Sequence, residues 1–140
     1  MSLVAKNYAR VAAGEPIRLF KSHRPDYRDG QQLRDFVYVK DCAAAMLWLW
    51  RHGGSGIYNL GTGQARSFLD LMNALGAACG MVPNIEYVDM PSAIRPNYQY
   101  FTEAVLTRLR QAGYNAPFAS LEDAVRDCVT QHLAAADPYL

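Results

Sequence analysis

Two segments of the chain carry side chains suited to an anionic or aromatic ligand. Arg34 lies between a polar loop and a stretch of β-forming residues, where its guanidinium can hold a pyrophosphate through two parallel hydrogen bonds. The alternative is a surface arginine paired with a carboxylate such as Asp35. Tyr98-Gln99-Tyr100-Phe101 follows Arg95 and Asn97. These aromatic rings suit stacking on a base or hydrogen bonding to a phosphate, or they pack as an irregular strand.

Two further motifs are weaker candidates for phosphate or sugar binding. Gly61-Thr62-Gly63 joins a predicted strand to a predicted helix, a place where backbone N–H groups can approach a phosphate. The third glycine of a dinucleotide-binding motif is replaced by Arg66, so the motif predicts a tight structural turn before a helix capped by Ser67. Phe20-Lys21-Ser22-His23 opens a loop with donors for a sugar or phosphate, although such loops are usually just solvated.

The sequence contains no recognisable catalytic or metal-binding motif. None of its nine tyrosines has a lysine four positions later, a pair in which the lysine would stabilise the phenolate of a catalytic tyrosine. The three cysteines form no CxxC pair and the three histidines are scattered, so neither zinc nor a disulfide framework is expected. We therefore assign no catalytic, cofactor-binding or metal-binding residue to this chain.

The composition is that of a folded soluble protein. The chain has 140 residues, of which 51% are hydrophobic and 19% charged, with a formal net charge of +1. This charge offers no electrostatic basis for binding nucleic acid or anionic membranes. The longest apolar run, residues 42–50, is too short to span a bilayer, and no signal-peptide pattern is present at residues 1–13.

Predicted strands alternate with predicted helices, which favours an α/β fold. Helices are expected at residues 3–13, at 42–52 with Asp41 as cap, and after Ser67, Thr102 and Ser120. Strands are expected at residues 16–20, 35–39, 57–60 and 85–88. The chain opens on a helix and offers few strands, so we predict an incomplete doubly wound sheet.

Two motifs together resemble the C-terminal half of the extended short-chain dehydrogenase/reductases. They are residues 33–41, LRDFVYVKD, and residues 55–63, SGIYNLGTG. The later segments at residues 85–87, 98–102, 109–114 and 117–118 are similar to those of one family among them, the ADP-glyceromanno-heptose 6-epimerases. The resemblance covers residues 1 to about 133, nearly the whole chain.

This resemblance implies a division of labour. Residues 1–140 would be the C-terminal, substrate-binding portion with the last Rossmann strands and helices, and the N-terminal cofactor-binding half would be absent. The complete enzyme would be a bacterial cytoplasmic homo-oligomer that binds NADP (NAD is possible) and epimerises an ADP-sugar at C6 for the lipopolysaccharide inner core. The chain alone would bind no cofactor, would be inactive, and would need the missing half or a separate subunit as its partner.

The resemblance also assigns roles to particular residues. Arg34 corresponds to an arginine on the substrate phosphates, and Tyr98 to a substrate-contacting tyrosine. Phe20, Lys21, Ser22 and His23 fall in a substrate loop, where the match is close at Phe20. Asn7 falls one position away from a substrate-contacting histidine of some members. The residues Gly61, Thr62 and Gly63 remain structural.

Three alternative functions stay open at this point. The chain could belong to another nucleotide-sugar epimerase or dehydratase, which binding of UDP- or dTDP-sugars would reveal. It could be a non-catalytic nucleotide-sugar-binding module, or a structural protein without a ligand. A large exposed apolar face would favour a missing half, whereas full burial of Ile57, Leu60 and the helix at 69–75 would favour a module that stands alone.

Overall fold

A computed structural model describes residues 2–52 and 55–135 of the chain as a mixed α/β structure. Its helices are α1 (Leu3–Ala12), α2 (Val39–His52), α3 (Phe68–Ala78), α4 (Thr107–Gln111) and α5 (Leu121–Cys128), with a 3₁₀ turn at Arg95–Asn97 and a π-helical turn at Val129–Leu133. Its strands are β1 (Ile17–Phe20), β2 (Leu33–Arg34), β3 (Arg66–Ser67) and β4 (Ile85–Val88). No helix among these residues is long and apolar enough to cross a membrane.

The larger core lies between the parallel strand pair β1–β4 and the helices α1, α3 and α5. Ile17 and Leu19 alternate inward from β1, and Ile17 is paired with Ile85 of β4. Leu71, Met72 and Leu75 of α3 are buried against them, each contributing about 1.5–3 kcal/mol on burial. Parallel pairing of strands so distant in sequence, with helices between them, is the α/β arrangement that the sequence predicted.

A smaller core joins α2 to the C-terminal part of the chain. Ala45 of α2 is fully buried against Leu109 of α4 and Tyr114. Trp48 extends this contact, with its ring 5.6 Å from that of Tyr114. The opposite side of α2 has no such cover, and Trp50 remains 80% exposed.

The side-chain caps predicted at Ser67 and Ser120 are confirmed, whereas the cap that Ser2 forms at the start of α1 was not predicted. Ser67 accepts a hydrogen bond from the Asp70 amide, and Asp70 accepts one from the Ser67 amide, which completes a capping box. Ser120 likewise accepts from the Asp123 amide at the start of α5. The end of α1 was also predicted, because Gly14 adopts a φ of 68° that other residues rarely tolerate.

Two predicted strands and two predicted caps are wrong. Residues 35–38 and 57–60 are irregular, because no strand of the described chain pairs with either segment. The ladder near the first is shorter and earlier, with Leu33–Arg34 antiparallel to Arg66–Ser67. Asp41 lies inside α2 and accepts a hydrogen bond from the Ala119 amide, and Thr102 lies five positions before the start of α4.

The carboxylate of Asp35 replaces the missing strand ladder at residues 35–38. It accepts hydrogen bonds from the amides of Thr62 (2.8 Å), Gly63 (2.9 Å) and Ala104 (3.0 Å), and from the Thr62 hydroxyl (2.6 Å). A side chain at Gly61 would lie 2.4 Å from Ala104 Cβ, so glycine is required for this close approach. Asp35 therefore joins three segments that are distant in sequence.

The same contacts set the charge state of Asp35. Burial raises the pKa of this carboxyl, but the hydrogen bonds from the Thr62 hydroxyl and the three amides outweigh burial and hold the pKa below its ordinary value. A depressed pKa in the folded state means that the ionised form stabilises the fold. That contribution is present above the unfolded pKa of about 4 and is lost as the pH falls through the folded pKa.

Replacement of Asp35 by asparagine tests this junction. Asp35→Asn turns one acceptor oxygen into an NH₂ group that faces amide donors, and we expect the free energy of unfolding at pH 7 to fall by about 1–3 kcal/mol. Urea denaturation followed by circular dichroism measures the change, and the loss should shrink as the pH falls below about 4. The control is Asp89→Asn, because the Asp89 side chain is 76% exposed and should change stability by less than about 0.5 kcal/mol. Equal effects of the two variants would contradict the assigned role.

Candidate functional site

Arg34 ends β2 with its guanidinium between two aromatic rings. The guanidinium carbon lies 5.3 Å from the Tyr98 ring centroid and 5.6 Å from that of Phe68. The guanidinium donates hydrogen bonds to the backbone carbonyls of Leu33 (2.7 Å) and Gln99. Within residues 2–52 and 55–135 no ion pair includes Arg34, and the neighbouring Asp35 is directed to the glycine turn. The arginine is therefore oriented while its charge is not neutralised.

Tyr98 separates two recesses beside Arg34. The deeper recess, of about 330 Å³, lies between α1, β1 and α3, and Phe20 and Tyr98 form part of its wall. Their rings meet edge to face at 6.2 Å. The more open recess, of about 460 Å³, is lined by Arg34, Asn97 and Tyr98 among others. Burial raises the pKa of the Tyr98 phenol, although Arg34 opposes this, so the phenol is a neutral hydrogen-bonding group at pH 7.

The predicted loop residues divide into two groups. Phe20 lines the deeper recess, as does Asn7, whose side-chain amide also donates to the Leu3 carbonyl at 2.9 Å. Lys21 forms an ion pair with Asp89 at 3.2 Å. The Ser22 hydroxyl donates to the Arg24 carbonyl, and the His23 imidazole lies against the Tyr100 phenol. Neither recess is lined by Lys21, Ser22 or His23, because the loop turns away from the deeper recess after Phe20.

Several residues of the deeper recess were missed at the sequence level. Lys6 lies next to Asn7 on α1, is exposed, and joins no ion pair in the described part of the chain. Arg18 of β1 contributes a second cation, which is paired with Glu86 at 3.5 Å. Phe68 of α3 also lines the recess, and its ring supports the Arg34 guanidinium. Lys6 could have been suggested by its position directly before Asn7. The sequence alone, however, does not tell which face of α1 meets the recess.

The glycine turn does not fit the diphosphate of a dinucleotide. The Thr62 and Gly63 amides, which would be the anion-binding groups of such a turn, already donate to the Asp35 carboxylate. The turn also approaches Ala104 too closely to admit a ligand. The structural interpretation of Gly61-Thr62-Gly63 is therefore supported, and the residues of this turn do not form a cofactor cradle.

Comparisons with known proteins agree on one class of enzyme. The profile of the NAD dependent epimerase/dehydratase family matches residues 1–61. The ADP-L-glycero-D-manno-heptose-6-epimerase of Nitratidesulfovibrio vulgaris is 49% identical over 140 residues, which are 99% of this chain and 43% of that protein. The chain thus spans less than half the length of this curated relative.

Solved structures of this class share the fold. The crystal structure of Helicobacter pylori ADP-L-glycero-D-manno-heptose-6-epimerase matches with a TM-score of 0.71 and 27% identity, over 90% of this chain and 36% of that one. The UDP-glucose 4-epimerase of Thermus thermophilus, solved with NAD, matches with a TM-score of 0.70 and 27% identity, over 88% and 37%. The chain is therefore similar in sequence and in fold to part of the ADP-L-glycero-D-manno-heptose-6-epimerases, and its residues 1–61 match the NAD dependent epimerase/dehydratase family.

Proposed function

We propose that the chain is the nucleotide-sugar-binding portion of an ADP-glyceromanno-heptose 6-epimerase. The observation that carries the proposal is Arg34, a cation that lines the open recess, is held between Phe68 and Tyr98, and has no acidic partner in the described chain. A planar guanidinium held in this way binds the two phosphates of a nucleotide sugar with little loss of side-chain entropy. The similarity to ADP-heptose epimerases supports the choice of an ADP-sugar.

The surrounding side chains divide the ligand between the two recesses. Arg34 binds the diphosphate, and the Tyr98 phenol donates to a phosphate or sugar oxygen between the recesses. Lys6 and Asn7 supply donors at the deeper recess, whose aromatic wall includes Phe20. Lys21, Ser22 and His23 contribute through the loop that they stabilise. Lys21 pairs with Asp89, the Ser22 hydroxyl donates to the Arg24 carbonyl, and the His23 imidazole lies against the Tyr100 phenol.

Catalysis requires groups that this chain does not supply. Hydride transfer at C6 needs a nicotinamide cofactor, NADP in our proposal with NAD as the alternative, and an acid–base pair. Neither the glycine turn nor any tyrosine of the sequence fits these roles. We assign them to the part of the epimerase that the chain does not span, so that residues 1–140 form its C-terminal substrate-binding portion. The complete enzyme would be a cytoplasmic bacterial homo-oligomer that acts in lipopolysaccharide synthesis.

An exposed apolar face on α2 supports a companion half. Val39, Met46, Leu47 and Trp50 are between 54% and 80% exposed and recur at helical spacing along one side of α2. Ile57 is 82% exposed. It begins residues 57–60, the expected strand that has no partner in the described chain. A module that stands alone required Ile57, Leu60 and the helix at 69–75 to be fully buried. That helix is buried at Leu71, Met72 and Leu75, but Leu60 is half-buried and Ile57 is exposed. The criterion is therefore met only in part, and the exposed face of α2 carries the argument for a missing half.

The function is tested by nucleotide preference. Calorimetric titration of the chain with ADP-heptose, UDP-glucose and dTDP-glucose should give the tightest binding for the ADP-sugar. Preference for a UDP- or dTDP-sugar would instead identify another nucleotide-sugar epimerase or dehydratase. Absence of binding to all three would overturn the proposal and leave an interaction protein as the better description.

Substitution of Arg34 tests the anion site. Arg34→Gln removes the charge and the paired donors, and we expect the dissociation constant for ADP to rise roughly 10- to 100-fold. Arg34→Lys keeps the charge but loses the planar fork, so its affinity should lie between the two. Arg126→Gln is the matched control, because Arg126 is 64% exposed on α5 and paired with Asp123. Similar affinities for wild type and Arg34→Gln, with unchanged melting temperatures, would rule out Arg34 as the phosphate ligand.

A complementation assay tests the division of labour. The chain with added NADP should show no epimerisation, and activity should appear when it is co-expressed with the portion of the Nitratidesulfovibrio vulgaris epimerase that it does not match. Trp50→Glu should abolish complementation while ADP binding is retained, because a charge on the α2 face prevents docking. Val82→Glu is the control, since Val82 is 91% exposed elsewhere. Turnover by the pure chain, or complementation by Trp50→Glu at the wild-type level, would contradict the division proposed here.

A further inference from the structure

Tyr100 is close to Tyr98 in sequence, but unlike Tyr98 it does not face the recesses. Its side chain is buried, with 4% of the residue exposed, and it lines neither recess beside Arg34. A ligand in those recesses therefore has no direct access to it. Its hydroxyl is nevertheless hydrogen bonded, so a polar group has been placed in the interior where a phenylalanine would fill the same space.

The Tyr100 hydroxyl fixes the start of the loop that follows β1. It accepts a hydrogen bond from the His23 amide at 2.9 Å, and His23 Nδ1 lies 2.7 Å away. The Ser22 hydroxyl is also within 3.4 Å. Because the phenol oxygen accepts from the amide, its own proton is available for Nδ1 of a neutral imidazole. The last amide of this segment to pair with β4 is that of Lys21, which donates to the Val88 carbonyl, and the Tyr100 hydroxyl then holds the chain at His23.

The Tyr100 ring and backbone connect this loop to the ligand-binding residues. The ring packs edge to face on Tyr98 at 5.4 Å and lies 4.9 Å from Tyr27. The Arg24 guanidinium covers it at 5.2 Å. The Tyr100 carbonyl accepts from the Leu33 amide at 2.8 Å, next to Arg34. A shift of Tyr100 would therefore move three parts together: the Tyr98 ring, the start of β2 at Leu33, and the loop after Phe20.

We propose that Tyr100 is a positioning residue for nucleotide-sugar binding, which holds the Tyr98 ring in its binding geometry and is itself held by the loop at residues 22–27. This inference rests on the proposed function and extends it to a residue that does not touch the ligand. Ser22 and His23 lie outside both recesses and contribute through their hydrogen bonds to the Tyr100 hydroxyl. A Tyr98 ring that is already oriented avoids an ordering cost on binding.

The test removes the hydroxyl and keeps the ring. Tyr100→Phe should leave the melting temperature nearly unchanged, weaken ADP binding by about 3- to 10-fold, and speed hydrogen exchange of the His23 amide, which loses its acceptor. The matched control is Tyr114→Phe, which removes a hydroxyl from a tyrosine of the smaller core that is 5% exposed. This control should change neither ADP affinity nor exchange at His23.

The outcomes separate this inference from the function on which it rests. If the wild-type chain binds ADP and Tyr100→Phe binds it with a dissociation constant within twofold of the wild-type value, the positioning role alone is overturned. Equal weakening by Tyr114→Phe would also overturn it, because the effect would then be general loss of stability. If the wild-type chain binds neither ADP nor an ADP-sugar, the proposed function fails and the positioning role fails with it.

Discussion

The carboxylate of Asp35 is the contact on which the arrangement of the site depends. It draws the Thr62, Gly63 and Ala104 amides onto one point, and so joins the end of β2 to the glycine turn and to the segment before α4. Its neighbour Arg34 faces the opposite way, between Phe68 and Tyr98. Because Asp35 is fully occupied by amides, it does not neutralise Arg34. Asp35 thus holds distant segments of the chain together, while in the proposed function Arg34 remains available to an anion.

This arrangement also explains why the glycine turn does not fit a cofactor phosphate. Backbone amides bind a phosphate only when no internal acceptor takes them first, and here the acceptor is Asp35. In the proposed function, the chain combines a binding surface for a negatively charged ligand with an apolar face on α2 that is open to a companion. A substrate site and a docking face in one portion fit an enzyme whose cofactor is held elsewhere.

The sequence predicted the parts of the fold that local chemistry determines. Ser67 and Ser120 cap their helices because cap and amide are three residues apart, and Gly14 ends α1 through its own φ. Residues 35–39 and 57–60 have strong β-propensity, yet a strand also needs a neighbour with free hydrogen-bonding groups. Arg34, Tyr98 and Phe20 were singled out from residue type and position, and Asn7 by resemblance. Tyr98 lines both recesses, Arg34 lines the open one, and Phe20 and Asn7 line the deeper one. Lys6 was missed and His23 faces Tyr100, since neither orientation can be read without the fold.

A structure of the chain with ADP bound tests the central claim most directly. The account predicts that the diphosphate lies within hydrogen-bonding distance of the Arg34 guanidinium, next to the Tyr98 phenol, with the Asp35 contacts to the glycine turn unchanged. A diphosphate bound to the Thr62 and Gly63 amides, with Asp35 displaced, would contradict it. So would a nucleotide seated on the exposed face of α2.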